Sequence, residues 1–286
     1  MKIKYYLAAI IFISAFLKLN AEDKHFMWEI KSETGTVYLL GSAHVARDDL
    51  YPLDSVIENA FDRSDFLGVE LDINNIDPKL LMEKIQYSDG STLEDVLEPE
   101  LYQRLKKEFS KYQVPSSMFK LYKPWFAVLY LGQIQMMKEG FDPNSGIDKY
   151  FLDKAGDKPI IELETPEAQL AIFDEFDKMP NEFVEYSLND MDSSVYRMEM
   201  MFEAWAIGDT ASINEDIIDD FQSEEGFEEI TKLLIDNRNQ IMADKIIGFL
   251  TTNNTYFVVV GAAHIPGENG ILSILRRENR YGIEQK

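Results

Sequence analysis

The stretches FVVVGAAHI, residues 257–265, and YLLGSAHV, residues 38–45, decide the fold of this sequence. Each is an apolar run that ends at a glycine, and a histidine follows that glycine by three positions. The chain of 286 residues has three histidines, and two of them occupy this repeated context. A β-branched and aromatic run that ends at glycine is typical of a buried strand entering a tight loop. The repeat therefore predicts two related strand–loop units.

Each unit continues into a helix and a second strand. After the first loop, residues 51–64 have apolar positions at helical spacing, with Pro52 expected in the first turn, and residues 65–71 (DFLGVEL) read as a strand. After the second loop, helix 271–279 and strand 281–285 follow in the same order. Parallel strands are joined through helical crossovers. The sequence thus predicts an α/β fold in which pseudo-duplicated β-α-β units form a mixed or parallel sheet core.

The region between the two units is predicted to be a large helical insertion. One short strand, KPIIELE at 158–164, interrupts it, and no low-complexity linker divides the chain. We therefore expect residues 22–286 to form a single domain. The segments with the 3.6-residue apolar period of an α-helix are 100–112, 125–140, 146–156, 182–209 and 228–250.

Residues 1–21 have the pattern of a secretory signal peptide. Two lysines precede an apolar run over 5–17, and small residues end the segment at Ala21. The run is shorter than the roughly 20 residues that a membrane-spanning helix needs. We expect cleavage after Ala21, export to the periplasm or the medium, and no stable membrane insertion afterwards.

The charge of the chain limits its partners. The formal net charge is -23, and removing residues 1–21, which hold three lysines and no acid, makes it -26. Such a surface repels nucleic acid, so nucleic acid is not an expected partner, and it favours neutral or cationic substrates. The chain has no cysteine, which excludes thiolate metal sites. A metal ion would have to bind to His, Asp or Glu.

Four predicted strands end in residues that can perform chemistry: His44, Glu70, His264 and, after strand 158–164, either Glu162 or preferably Glu164. Ligands of open α/β sheets bind outside the carboxyl ends of the strands. We therefore expect these side chains to converge on one pocket. His25, just beyond the cleavage site, is expected to be an exposed bystander.

Two histidines and one or two carboxylates form a suitable ligand set for a first-row divalent ion with positions left for water. Water activated in this way is a nucleophile, so the pattern indicates hydrolysis. The same residues also permit a metal-independent, esterase-like hydrolase in which a histidine steered by Glu70 acts as general base. A third alternative is a protein that binds a peptide or haem without turnover.

Several stretches of the sequence resemble the motifs of the TraB/PrgY/GumN family, which includes the TIKI proteases. They occur in the same order as in the family and span nearly the whole chain after residue 21. The stretches that carry the resemblance are 38–73, KPW at 123–125, GID at 146–148, IELETPEAQL at 161–170, AWAIGD at 204–209, RNQIMADKI at 238–246 and 257–284.

This resemblance implies an α/β fold related to the erythromycin-esterase and ChaN-like group. It also implies an active site made of two GxxH motifs and a glutamate, here His44, His264 and Glu70, and a metal requirement met in TIKI members by Mn or Co. By the same resemblance, Glu164 joins the site, and Asp148, Arg238 and Asn239 are further pocket residues. The resulting prediction is an exported hydrolase, specifically a peptidase, dependent on Mn, Co or Zn held by His44, Glu70 and His264.

Overall fold

A six-stranded mixed sheet lies at the centre of the protein. The computed structural model describes residues 24–215 and 227–286, so the predicted signal peptide lies outside the described residues. The strands are β1 Met27–Lys31, β2 Thr36–Ser42, β3 Phe66–Val69, β4 Ile160–Glu162, β5 Thr255–Gly261 and β6 Gly282–Gln285, in the spatial order β4-β3-β5-β2-β1-β6. The pairs β4–β3, β3–β5 and β5–β2 are parallel, whereas β1 is antiparallel to β2 and β6. The predicted α/β class is confirmed.

Helices fill the connections, most of them between β3 and β5, which confirms the predicted helical insertion. Short 3₁₀ turns occur at Asp48–Leu50, Ile73–Asn75, Pro143–Ser145 and Ala262–His264, and a π-helical turn at Lys232–Asp236. The α-helices are α1 Ser55–Asp62, α2 Pro78–Ile85, α3 Leu93–Val96, α4 Pro99–Lys111, α5 Ser116–Phe119, α6 Pro124–Lys138, α7 Ile147–Lys154, α8 Pro166–Phe176, α9 Pro180–Ala206, α10 Thr210–Ile213, α11 Glu228–Thr231, α12 Asn237–Phe249 and α13 Ile271–Arg277.

The two histidine loops leave the sheet side by side. Strands β2 and β5 are neighbours, and their register pairs Gly41 with Val260 and Ser42 with Gly261. The two GxxH motifs are therefore out of step by one residue. On the other side of β5, Val69 of β3 pairs with Val259, which brings Glu70 to the same edge.

The first helix begins later than the sequence predicted. Helix α1 starts at Ser55, and Pro52 precedes it instead of occupying its first turn. The side chain of Asp54 accepts a hydrogen bond from the backbone N–H of Val56 and so caps the helix. An Asp in this position satisfies a backbone donor that the first turn leaves unpaired, which sets the start of the helix.

The duplication of the two β-α-β units is approximate. In both units the second strand runs parallel to the first, but β3 lies two positions from β2, whereas β6 lies three positions from β5. The difference arises because β1, antiparallel to its neighbours, occupies the place beside β2. The likeness of the units therefore extends through strand, loop and helix but not to the place of the returning strand.

Buried side chains form two hydrophobic clusters. One surrounds the sheet, and its fully buried members include Leu39, Phe257 and Ile271. The other lies within the helical insertion, where Phe109 stacks on Phe119 with ring centroids 3.8 Å apart. The prediction of a single domain stays a prediction. Among the helices of residues 24–215 and 227–286, none is long and apolar enough to cross a membrane.

Candidate functional site

The ends of the four parallel strands carry the predicted site residues in one row. Glu164 follows β4 by two positions, Glu70 follows β3 directly, His264 ends the turn after β5, and His44 follows β2 by two positions. Because the strands are parallel neighbours, all four residues lie at the same edge of the sheet. The further predicted pocket residues, Asp148, Arg238 and Asn239, each contact a member of this row.

The imidazole of His44 is anchored by a carboxylate. Its Nδ1 lies 3.0 Å from Oδ2 of Asp148, and the hydroxyl of Ser42 donates to Oδ1 of Asp148 over 2.7 Å. The side chain of His44 is 73% exposed, against 13% for Asp148. The carboxylate of Asp148 raises the pKa of His44 to about 9. The pair therefore fixes Nδ1 as the donor, and Nε2 is the nitrogen left for another partner.

Two neighbouring motifs hold the first loop in place. The backbone N–H of Ile147, at the start of α7, donates to the carbonyl of Ala43 over 2.9 Å. The indole Nε1 of Trp205, at the end of α9, donates to the carbonyl of Gly41 over 2.7 Å. The GID and AWAIGD stretches thus act locally by fixing the backbone that carries His44. Sequence analysis did not identify Trp205 as a site neighbour.

The imidazole of His264 is buried and held in one tautomer. Its Nδ1 lies 2.7 Å from Oδ1 of Asn239, whose Nδ2 donates to the carbonyl of Asn269 over 2.9 Å. That carbonyl can only accept, so Asn239 presents its oxygen to His264 and the Nδ1 atom must carry the hydrogen. Burial lowers the pKa of His264 to about 4 against the opposing effect of Glu70. The ring is therefore neutral at pH 7, with its lone pair on Nε2.

Arg238 holds two glutamates together. Its Nη2 lies 2.5 Å from Oε2 of Glu70 and 2.6 Å from Oε2 of Glu164, and its Nε lies 2.9 and 3.0 Å from the two oxygens of Glu164. All three side chains are buried. Both oxygens of Glu164 accept hydrogen bonds from Arg238, and its predicted role as a ligand or acid–base group stays a prediction. Through these hydrogen bonds Arg238 orients the carboxylates of both Glu70 and Glu164.

Glu70 lies at the centre of the site. Its Oε1 accepts the backbone N–H of Gly261 over 2.6 Å. Burial alone raises the pKa of a carboxyl group, but His264, Arg238, His44 and the Gly261 N–H outweigh it and hold the pKa of Glu70 at about 2. Glu70 is thus ionised at neutral pH.

Sequence analysis missed Gln169, in the second turn of α8. Its Nε2 lies 3.3 Å from Oε2 of Glu70 and 3.4 Å from Oε2 of Glu164, the two oxygens that Arg238 also binds. A glutamine on a helix has no distinctive pattern of its own. The available signal was its position in the same IELETPEAQL stretch as Glu164.

The buried side chains of His264 and Glu70 face each other across a short gap. Nε2 of His264 lies 3.7 Å from Oε1 of Glu70, and both side chains are less than a tenth exposed. With the imidazole neutral, both atoms are acceptors and do not bond to each other. Two bonds of the length found in Zn sites, about 2.0–2.2 Å, span such a gap. The donor chemistry of these two residues therefore fits a divalent cation.

The remaining predicted residues lie elsewhere. Oε1 of Glu162 accepts the backbone N–H of Asp72 over 2.9 Å, and Nε2 of His25 lies 3.5 Å from Oδ1 of Asp54. In the described part of the chain, no three His, Asp or Glu side chains are already arranged as a metal-binding group. The metal set of His44, Glu70 and His264 stays a prediction.

Fold and site together define an α/β protein with paired GxxH loops beside a buried glutamate. A family model, the TraB/PrgY/gumN family, matches residues 26–281. The chain belongs to this family, as its motifs predicted.

Similar proteins occur in three bacteria. The chain is 24% identical over 241 residues to proteins named "Uncharacterized protein YbaP" of Escherichia coli (strain K12) and of Shigella flexneri, with 84% of this chain and 87% of each relative covered. It is 23% identical over 163 residues to an "Uncharacterized protein" of Treponema pallidum (strain Nichols), covering 54% of this chain and 48% of that protein. No solved structure matches the chain.

Proposed function

We propose that the protein is an exported, metal-dependent hydrolase that acts on peptides. The observation that carries the proposal is the buried gap of 3.7 Å between His264 Nε2 and Glu70 Oε1. Two lone pairs that face each other away from solvent are stabilised by a cation between them. The buried set of Glu70, Glu164 and Arg238 has two carboxylates and one guanidinium, so it favours an added positive charge.

Three residues would hold the ion: His264 and His44 through Nε2, and Glu70 through Oε1. Each imidazole already donates its Nδ1 hydrogen to a side-chain oxygen, of Asn239 and of Asp148. Metal-binding histidines commonly have such a partner, which orients the ring and fixes the tautomer. When bound, an ion of Mn, Co or Zn supplies the positive charge that makes water a nucleophile near neutral pH.

The chain's own residues have separable tasks in this proposal. Asp148 and Asn239 keep the two rings in place, and Arg238 keeps Glu70 turned so that Oε1 faces His264. His44, the exposed member, is the histidine that substrate contacts first. Binding of the ion requires that His44 release its Nε2 proton, while Nδ1 keeps its hydrogen toward Asp148.

A metal-independent hydrolase is the second candidate. The observation in its favour is the His44–Asp148 pair, whose 3.0 Å contact to Nδ1 and open Nε2 match a carboxylate–imidazole acid–base couple. In that case Glu70 and His264, across their 3.7 Å gap, hold the attacking water between them.

The decisive experiment measures metal content and hydrolysis on the same preparations. The mature protein is purified without chelator and compared with His44→Ala, His264→Ala and, as a matched control, His25→Ala. Bound metal is determined by mass spectrometry. Hydrolysis is followed with an internally quenched random-sequence peptide library, with and without EDTA.

The proposal predicts about one metal ion per chain in the parent protein and in His25→Ala, and loss of both metal and cleavage in the other two variants. Full cleavage in EDTA would favour the metal-independent candidate. Metal that stays bound in both His44→Ala and His264→Ala would refute the ligand set. A peptide or haem that binds tightly and is never cleaved would identify a binding protein instead.

A further inference from the structure

Gln169 lies at the boundary between the buried carboxylates and the solvent. Its side chain is half-buried, whereas Glu70 and Glu164, which it contacts, are buried. Gln169 belongs to helix α8. Thr165 caps the start of this helix by accepting the backbone N–H of Ala168. Gln169 is therefore the member of this cluster that an approaching ligand meets from the α8 side.

The two carboxylates fix the orientation of the Gln169 amide. Nε2 lies 3.3 and 3.4 Å from oxygens of Glu70 and Glu164, which can only accept hydrogen bonds when ionised. Turning the amide over would place its oxygen against both of them. The NH₂ group therefore faces the carboxylates, and the carbonyl oxygen Oε1 faces away.

The oxygen of this amide is available to a ligand. In residues 24–215 and 227–286, no N–H or O–H group donates to Oε1 of Gln169, and this atom is not fully buried. An acceptor that is open to solvent, and whose orientation is fixed from behind, is pre-organised to receive an N–H group. Glu70 accepts from the NH₂ group of Gln169 through Oε2 and faces His264 through Oε1.

We propose that Gln169 is a specificity-determining residue whose Oε1 accepts the N–H of the amide bond to be cleaved, so that the site prefers amides to esters. This inference rests on the proposed hydrolytic function and names a residue that sets its preference for amides. An ester has an oxygen where the amide has its N–H, so it would place a second acceptor against Oε1. A site built to bind an N–H discriminates against the analogue that lacks it.

The test compares matched substrates on matched variants. Peptides cleaved by the parent protein in the quenched random-sequence library are remade with an ester in place of the cleaved amide. kcat/KM is measured for both members of each pair with the parent protein, Gln169→Met, Gln169→Lys and the control Glu167→Met. Glu167 is an exposed residue in the first turn of the same helix. Lysine at 169 can still donate to both carboxylates but offers no acceptor.

The measured quantity is the amide-to-ester ratio of kcat/KM, in which the higher intrinsic reactivity of esters cancels between proteins. We expect this ratio to fall by about fivefold or more in both Gln169 variants and to stay unchanged in Glu167→Met. Gln169→Lys keeps the test valid if Gln169→Met does not fold. An equal fall in kcat/KM for both substrates would overturn the inference and leave Gln169 as a positioning residue for Glu70. Absence of cleavage by the parent protein overturns the proposed function, and this inference with it.

Discussion

Gly146 lies directly against the main chain of His44. A Cβ atom at position 146 would lie 2.5 Å from the carbonyl oxygen of His44 and 2.8 Å from its carbonyl carbon. Only glycine allows this approach without a shift of one backbone or the other. The GID stretch therefore fits around the first histidine loop at Gly146 and anchors the ring of His44 through Asp148.

Gly146→Ala should displace the first loop. We expect the free energy of unfolding to fall by about 1–3 kcal/mol, as for other substitutions that overfill a packed site, and hydrolysis to fall with it. Thermal and urea unfolding measure the first effect. Gly132→Ala in helix α6 is the matched control, because a Cβ there meets no atom within 4 Å. Equal stability of the two variants would contradict the close contact.

Asp148→Asn should lower the pKa of His44 without unfolding the protein. Loss of the carboxylate removes what stabilises the imidazolium, so the pKa of His44 should fall from about 9 toward its ordinary 6.5. Histidine titration by NMR on metal-free protein measures this change. Hydrolysis should fall by about 10–100-fold, as for other residues that orient a ligand. Asp153→Asn on the same helix, where Asp153 pairs with Lys149, should change neither quantity.

Arg238→Met should destabilise the protein strongly. It leaves the buried carboxylates of Glu70 and Glu164 without their shared cation. Breaking such a pair costs about 3–5 kcal/mol. The loss should shrink as the pH falls and protons neutralise the carboxylates. Urea unfolding at pH 7 and pH 5 tests both effects, with the exposed Arg276→Met as control. A variant as stable as the parent at pH 7 would show that Arg238 is not needed to hold the two glutamates.

Glu29 should make the free energy of unfolding depend on pH in the acidic range. Burial raises its pKa, but hydrogen bonds from Lys286, Lys31 and Tyr38 outweigh this and lower it from 4.5 to about 2. The folded state therefore binds the proton less tightly than the unfolded state, and the stabilisation is complete above pH 4.5. It is lost as the pH falls toward 2.

The size of this contribution follows from the pKa difference, which corresponds to about 3 kcal/mol at neutral pH. Glu29→Gln should lower the free energy of unfolding by an amount of this order at pH 7, and parent and variant should approach each other near pH 2. Chemical denaturation across this range measures the difference. Parallel curves for the two proteins would argue against the assigned pKa.

Export should remove residues 1–21. When the full chain is expressed in a bacterial host, the mature protein should begin at Glu22, and mass spectrometry of its N-terminal peptide reads this directly. Ala21→Arg should block cleavage, because small residues are required at that position. A mature protein that retains residues 1–21 would refute the export prediction.

The sequence was sufficient to predict the class of fold and the row of strand-end residues, because both depend on local patterns. An apolar run that ends at glycine shows where a strand stops, and parallel strands place such ends at one edge. The order of the strands was not predictable in this way. Strand β5 begins 213 residues after the end of β2 and 186 residues after the end of β3, yet it lies between them, and only tertiary packing decides that position.

The contacts within the site were harder to predict than its members. Arg238, Asn239 and Asp148 entered through a family resemblance, whereas their partners depend on side-chain directions across elements far apart in the chain. Gln169 and Trp205 have no local pattern that distinguishes them from other polar or core residues of helices. Their roles follow from the backbone and carboxylate groups that they meet in the folded protein.

The one-residue offset between the two GxxH motifs gives their histidines different surroundings. Ser42 pairs with Gly261, so the first motif begins one residue earlier along the sheet than the second, and its His44 is largely exposed whereas His264 is buried. Moving the second tetrapeptide onto β2 would replace Ser42 by alanine and remove the hydroxyl that donates to Asp148. If the repeat arose by gene duplication, its two copies now hold their histidines through different partners, Asp148 for His44 and Asn239 for His264.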